Sequence, residues 1–434
     1  MRNVFVLGLD EFNRHELQSI REAESCRFIG LLDYDEIVRP KSGEIPFEAL
    51  RRKAERQLDG YGGSVDGIIA FWDFPSSAMA GVLRNSRGLP GPTNEAIARC
   101  EHKYWSRIEQ RAVVPELVPA FQAVDPFADD PAALIELDYP FWIKPVKAHS
   151  SRLGFLIGGP DDLRAHLPEI REKIGFFGVP FDEYLTHVQV PEEIRPVTGH
   201  WCIGEAIISA GRQCTLEGYV YQGAVQVYGV VDSVRTGRHR SCFSRYQYPS
   251  RLPGRVQSRM IHAAEQVLQR FRYDCGPFNM EFYWHEETDR ISLLEVNARI
   301  SKSHCPLFRL VDGASHQEVA VDLALGEDPR FPHRQGRHRV AAKFMVRTFH
   351  DGIVQAMPTE EELERVRKRY PEMRFRPLAD PGQRLRDSHH YDSYSYELGD
   401  LFLGADNQQA LLAKYRDCLE LMTFDVEPMS RDAA

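Results

Sequence analysis

The chain has 434 residues, 43% of them hydrophobic, a formal net charge of −9 and a pI near 6.0. That length supports two to four compact units with their own cores, and the ordinary apolar fraction excludes a disordered chain. With no block of lysine or arginine, nucleic acid and anionic membrane are poor principal partners, and no apolar stretch approaches the roughly 18 residues of a spanning helix.

Residues 1–95 alternate the short apolar runs VFVLGL (4–9), RFIGLLD (27–33) and GIIAFW (67–72) with helical stretches such as 47–58. The pattern predicts parallel βαβ units and a doubly wound domain. The first run is too short for a signal sequence, and Gly8-Leu9-Asp10 is followed by no further glycines, so a dinucleotide fingerprint is absent. Gly91-Pro92-Thr93 punctuates the chain. Thr93 or Asn94 is expected to cap one helix through NEAIARCEHKYWSRIEQR, with Lys103 on its polar side. Strands are predicted at 121–124, 141–146 and 154–159, with helices near 130–137 and at 160–173.

Three antiparallel strands follow at 204–208, 213–221 and 225–234, then a polar, basic segment, 235–254, read as a loop over a site. Its arginines at 235, 238, 240 and 245 suit a substrate carboxylate. A helix is expected at 256–271 and another at 315–326. The tail offers strands at 341–349 and helices at 359–369 and 406–421. The eight cysteines show no CxxC pair, which argues against a zinc site or disulfide framework and fits a reduced cytosol.

The most informative segment is FNMEFYW (278–284), HEETDR (285–290) and ISLLEVNARIS (291–301), a β-hairpin by composition. A turn centred on Thr288 sets Glu281 opposite Glu295, and alternation puts Glu295, Asn297 and Arg299 on that same face. Opposed side chains have Cβ atoms ~5 Å apart, where like charges are destabilising. Two carboxylates so placed imply a cation, and hard oxygen ligands suit Mg²⁺, with Mn²⁺ as the alternative. Lys144 ends an apolar strand with no acid within five residues, a place suited to a phosphate oxygen.

In order, Pro92-Thr93-Asn94-Glu95-Ala96 leading to Lys103, YPFWIKP around Lys144, the segment around Glu205, Glu281, and Glu295-Val296-Asn297-Ala298-Arg299 lie about 40, 60, 75 and 15 residues apart. This ordered set resembles the ATP-grasp superfamily, closest to its biotin-carboxylase-like branch, over roughly residues 1–330. The resemblance implies an α/β and α+β architecture in four parts. These are a doubly wound pre-ATP-grasp domain (1–95), a helical linker with a lid subdomain (96–203), a central antiparallel-sheet domain with the metal site (204–330) and a small C-terminal α+β domain (331–434).

It further implies that Lys103 and Lys144 bind ATP phosphates. It places the adenine along Glu205, Ala206, Ile207 and Ile208, largely through the backbone, and Glu217 in the nucleotide pocket. The family's phosphate loop is mobile and glycine-rich. Here only Gly154 remains, and Ser150, Ser151 and Arg152 stand as substitute donors. Arg299, with Lys144, would serve the chemical step by holding the acyl substrate or its developing charge.

The reaction so implied is a carboxylate–amine ligation through an acyl phosphate, with ADP and phosphate released. The expected partners are small carboxylate and amine substrates, an amino acid or peptide-like compound among them, in the cytoplasm, with a homodimer compatible. A bicarbonate-activating, biotin-type carboxylase and a non-catalytic ATP-binding protein are the rival readings. The carboxylase is weakened by the missing glycine run and by Ser303 where the carboxylases carry an acid.

Overall fold

The computed structural model describes residues 1–40, 43–148, 152–209, 211–236, 242–388 and 395–429. Ser150 and Ser151, and the arginines at 238 and 240, lie outside the described residues. The chain divides into two compact units, one of residues 1–228, 253–302 and 317–330, the other of residues 229–252, 303–316 and 331–434.

The first unit opens with the expected βαβ pattern. Strand Arg2–Leu7 lies between Cys26–Leu31 and Gly67–Ala70, parallel to both. Val4, Val6, Leu7, Leu31 and Ile68 are buried, as short apolar runs in a covered parallel sheet require. Thr93 caps the next helix, its side chain accepting from the Ala96 N–H. That helix is not continuous, as the sequence suggested, but two: Asn94–Glu101 and Lys103–Val113. His102 makes the break. It leaves helical geometry (φ −88°, ψ 95°) and caps the second helix, Nδ1 accepting from Trp105 N–H at 3.2 Å while Nε2 faces the Val197 carbonyl at 2.8 Å. Those two contacts require the neutral tautomer with the proton on Nε2, and burial pushes the imidazole down to about 4.

Next comes a four-stranded sheet, ordered Phe121–Val124, Cys202–Ala206, Phe141–Pro145, Phe155–Ile157. One face carries Phe141, Ile143, Ile157 and Cys202, packed with Leu163, Leu167 and Ile170 of helix Pro160–Lys173. The predicted helix near 130–137 is only a 3₁₀ turn at Pro131–Leu134. Its flank spends its backbone on a neighbouring strand instead: Gln122 donates to the Leu134 carbonyl (2.6 Å) and accepts from the Glu136 N–H (2.8 Å).

The unit ends in the antiparallel strands Arg212–Tyr221, Gly276–His285 and Arg290–Asn297, with Gly276–His285 in the middle. Cys214, Leu216, Phe278, Met280, Phe282 and Leu293 form their buried face, and helix Gly254–Phe271 contributes Met260, Val267 and Leu268 to the core.

In the second unit, Cys242–Tyr248 pairs with Ala224–Thr236 and Val340–Thr348, followed by Tyr396–Ala405 and Arg374–Pro377. The expectation of a loop over all of 235–254 is corrected here. CFSRYQY is aromatic-rich, and pairing on both edges makes it a strand. Thr359 starts helix Glu360–Arg369 with a capping box to Glu362, and Asn407 caps Gln408–Leu421. Among the described residues no helix is long and apolar enough to cross a membrane, and all eight cysteines are free thiols.

Ile143→Ala should remove a fully buried branched side chain from the four-stranded sheet and cost about 2–5 kcal/mol in a urea melt. A loss near zero would show that this face is not a core.

Candidate active site

The hairpin brings the two carboxylates together. Glu281 is the register partner of Glu295, and Asn279 that of Asn297. Across the other edge Glu281 faces Thr215 and Asn279 faces Glu217. Alternation therefore makes one polar face of Thr215, Glu217, Asn279, Glu281, Glu295 and Asn297, backed by the apolar face already described.

A β-bulge decides this register. Toward the turn the pairs are Phe282↔Leu293 and His285↔Arg290, and the step to Glu281↔Glu295 skips Leu294. A regular ladder would set Leu294 opposite Glu281. The face is wired internally. Asn279 Nδ2 donates to Glu217 at 2.7 Å, Asn297 Nδ2 to Asn279 at 3.2 Å and Glu295 at 3.4 Å, and Gln213 to Glu281 at 2.8 Å. Glu217 is fully buried and also accepts from the Ser301 N–H at 3.3 Å. Gly218 beside it lets the Phe278 ring cross close, since a Cβ there would meet that ring at 2.3 Å.

The cations lie in the same unit. Lys103 opens its helix and donates through Nζ to the Ala148 carbonyl at 2.5 Å, while its N–H holds the Val146 carbonyl at 3.2 Å. Burial, and then the nearby Lys147 and Lys144 charges, push the Lys103 ammonium down to about 7. Lys144 pairs with Glu205, so the counter-charge that its own neighbourhood lacks comes from the adjacent strand. Lys147 is buried against Glu101, which also accepts from Ser77. Glu205 takes a second cation, Arg107, at 2.6 Å. Burial opposes its ionisation, but Arg107 and Lys144 prevail and hold it down to about 2.

Arg299 lies past the strand end and donates to Asp73 Oδ1 through Nε (2.8 Å) and Nη2 (2.5 Å). Burial disfavours its charge, yet Asp73, Glu295 and Glu217 raise its pKa further. The structure therefore brings Lys103, Lys144, Glu205, Glu217, Glu281, Glu295, Asn297 and Arg299 into one unit.

Two expectations need adjustment. Ala206 N–H is taken by the Ala120 carbonyl at 2.9 Å, which leaves backbone donors of this segment only from Ile207 onward. Arg152, read as a substitute donor, stacks over the Phe176 ring at 4.2 Å, and Leu153 beside it holds a left-handed conformation (φ 55°).

Asn279, Trp142 and Leu156 stand beside the expected residues and were not singled out in the sequence. Asn279 follows from Glu281 by alternation. Trp142 and Leu156 are register partners, 37% and 48% exposed, on the sheet face that also carries Lys144 and Glu205. A large aromatic two residues before Lys144 was the available signal.

Among the described residues no group of three or more His, Cys, Asp or Glu is placed to hold a metal ion. The donor set at the hairpin is two carboxylates and an amide. That set is too small to enclose a cation, but it fits Mg²⁺, which keeps waters and takes its remaining oxygens from phosphates.

No protein-family model matches the chain. Its fold is similar to an L-amino acid ligase from Bacillus licheniformis (TM-score 0.73, 15% identity, covering 98% of this chain and 99% of that one). It is also similar to a biotin carboxylase from Campylobacter jejuni, solved as its beta-gamma-ATP complex (TM-score 0.61, 14% identity, 98% and 92%). In sequence, a urea amidolyase of Lachancea kluyveri is 24% identical over 247 residues, 56% of this chain and only 12% of that protein. Sheet order, the opposed carboxylates and these likenesses agree: the chain has the fold of the ATP-grasp ligases.

Proposed function

We propose that this protein is an ADP-forming carboxylate–amine ligase that activates a small carboxylate with MgATP and joins it to an amine, with an amino acid or peptide-like compound among its substrates. The observation that carries the reading is the convergence in one unit of Lys103, Lys144 and Arg299 with a polar sheet face bearing opposed carboxylates.

ATP lies against the sheet face that carries Trp142, Leu156 and Lys144, with its base edge at Ile207 and Ile208. Lys103 and Lys144 exchange their present partners, Ala148 and Glu205, for phosphate oxygens. Ser150, Ser151 and Gly154 supply the loop donors. Glu281, Glu295 and Asn297 hold Mg²⁺, or Mn²⁺ in its place, and this cation supplies charge neutralisation at the phosphates when bound. Glu217 positions Asn279 and, through it, Asn297.

A substrate carboxylate oxygen attacks the γ-phosphorus as the bond to the ADP oxygen breaks. The amine nitrogen then attacks the acyl carbon, phosphate leaves, and the nitrogen gives up a proton. Arg299 binds the carboxylate and the acyl phosphate formed from it. No protein nucleophile is required, and catalysis is positioning plus electrostatics. The segments 1–95, 96–203, 204–330 and 331–434 then serve as the pre-grasp, lid, central and C-terminal parts.

The test is an ADP-release screen of purified protein against paired amino acids, with bicarbonate plus biotin as the rival arm. Stimulation by an amino acid pair supports the ligase. Stimulation only by bicarbonate and biotin moves the reading to the carboxylase, and release of AMP sinks both.

Glu295→Gln should lower turnover by about 10²–10³-fold. Folding stability should stay equal or rise, because a like-charge contact is removed. Normal activity of that variant in Mg²⁺ would refute the metal assignment.

A third expectation concerns protons. Lys103, held near 7, is mostly neutral at a pH of about 8.5, while an unfolded lysine stays protonated up to about 10.4. The unfolded chain thus binds more protons in that window, and stability without nucleotide should rise between those limits. Phosphates beside Lys103 would restore its charge, so ADP binding at that pH should take up a proton. Calorimetry in buffers of different ionisation enthalpy reads this, and Lys103→Met should abolish it.

A further inference from the structure

Arg107 is nearly inaccessible (2% exposed) and was not among the residues singled out in the sequence. From helix Lys103–Val113 it reaches two other elements. Nε donates to Glu205 Oε1 at 2.6 Å on strand Cys202–Ala206. On strand Arg290–Asn297, Nη1 donates to the Leu293 carbonyl at 2.9 Å and Nη2 to the Leu294 carbonyl at 2.8 Å. Gln110, one turn on, accepts from Nη1 at 2.7 Å and fixes the fork.

The two carbonyls are consecutive. Along a regular strand successive carbonyls point to opposite edges, so one guanidinium cannot take both. At Leu294 the strand is bulged, and Arg290–Asn297 is the edge strand with its outer side open to a side-chain donor. Arg107 therefore binds the bulged form of the strand and not the regular one. The bulge is also what sets Glu295 opposite Glu281.

We propose that Arg107 is a positioning residue for the metal site. By holding the Leu293 and Leu294 carbonyls it keeps the register in which Glu281 and Glu295 face each other. By holding Glu205 it ties that register to strand Cys202–Ala206, which leads into Ile207 and Ile208. Arg107 is buried and acts through the groups that it holds. A lysine cannot replace it, because one ammonium lacks the planar fork that spans two carbonyls and a carboxylate.

The inference rests on the ligase reading for the identity of the cation, but not for the register. Two measurements on the full chain separate them. In Arg107→Lys, which leaves a cation for Glu205, amide exchange at Leu293–Val296 should quicken while the Phe141–Pro145 strand stays protected. The Mn²⁺ dissociation constant of the ADP complex, read by electron paramagnetic resonance, should rise by about 10–100-fold. ADP affinity in EDTA should change far less.

If Arg107→Lys does not fold, Arg107→Gln removes the charged fork while Lys144 stays on Glu205, and should show the same loss of Mn²⁺ affinity. Unchanged exchange at the bulge, or an unchanged Mn²⁺ constant in a folded variant, would overturn the proposal. Absence of Mn²⁺ binding in the unaltered protein would sink the ligase reading, and the exchange measurement would still decide the role of Arg107.

Discussion

The site is organised around one unfavourable contact, two carboxylates held face to face across a hairpin. Directly opposed like charges oppose folding, by up to about 1 kcal/mol on a sheet surface. The rest of the unit absorbs that cost. The apolar side of the hairpin is packed with Phe278, Met280 and Phe282, so a slip of one residue would turn those rings to water and the carboxylates into the core. The bulge at Leu294, held by Arg107, fixes the remaining freedom.

The cations show a common pattern. Lys144 is on Glu205, Lys147 on Glu101, Arg299 on Asp73, and Lys103 on a backbone carbonyl. Burying an uncompensated ammonium or guanidinium is costly, so each of these cations has an internal partner. Lys103 is the exception. Its partner is a neutral carbonyl, other lysines surround it, and its proton is correspondingly loosely held.

Much of the fold was legible because it depends on local pattern. The parallel amino-terminal strands, helix Pro160–Lys173 and helix Gly254–Phe271 have clear periodicity and clear ends. The hairpin was legible from its polar turn between two apolar flanks. What failed was decided by competition between distant groups. The break at His102 depends on Val197, and the missing helix near residue 134 depends on Gln122. Strand Cys242–Tyr248 depends on partners supplied by residues 232–236 and 341–344.

The sequence by itself determined which groups make up the candidate site. It held two acids, an amide and an arginine at alternating positions, and two lysines at the spacing of the ATP-grasp set, because alternation and spacing are properties of a single strand or of the order along the chain. Only the tertiary structure decided how these groups are balanced: that Lys144 answers Glu205, that Arg299 answers Asp73, and that Arg107 holds the bulge. Those partners lie 61, 226 and 186 residues apart along the chain. No local pattern encodes such pairings, which arise when burial forces each charged group to find its complement among whatever elements the fold brings beside it.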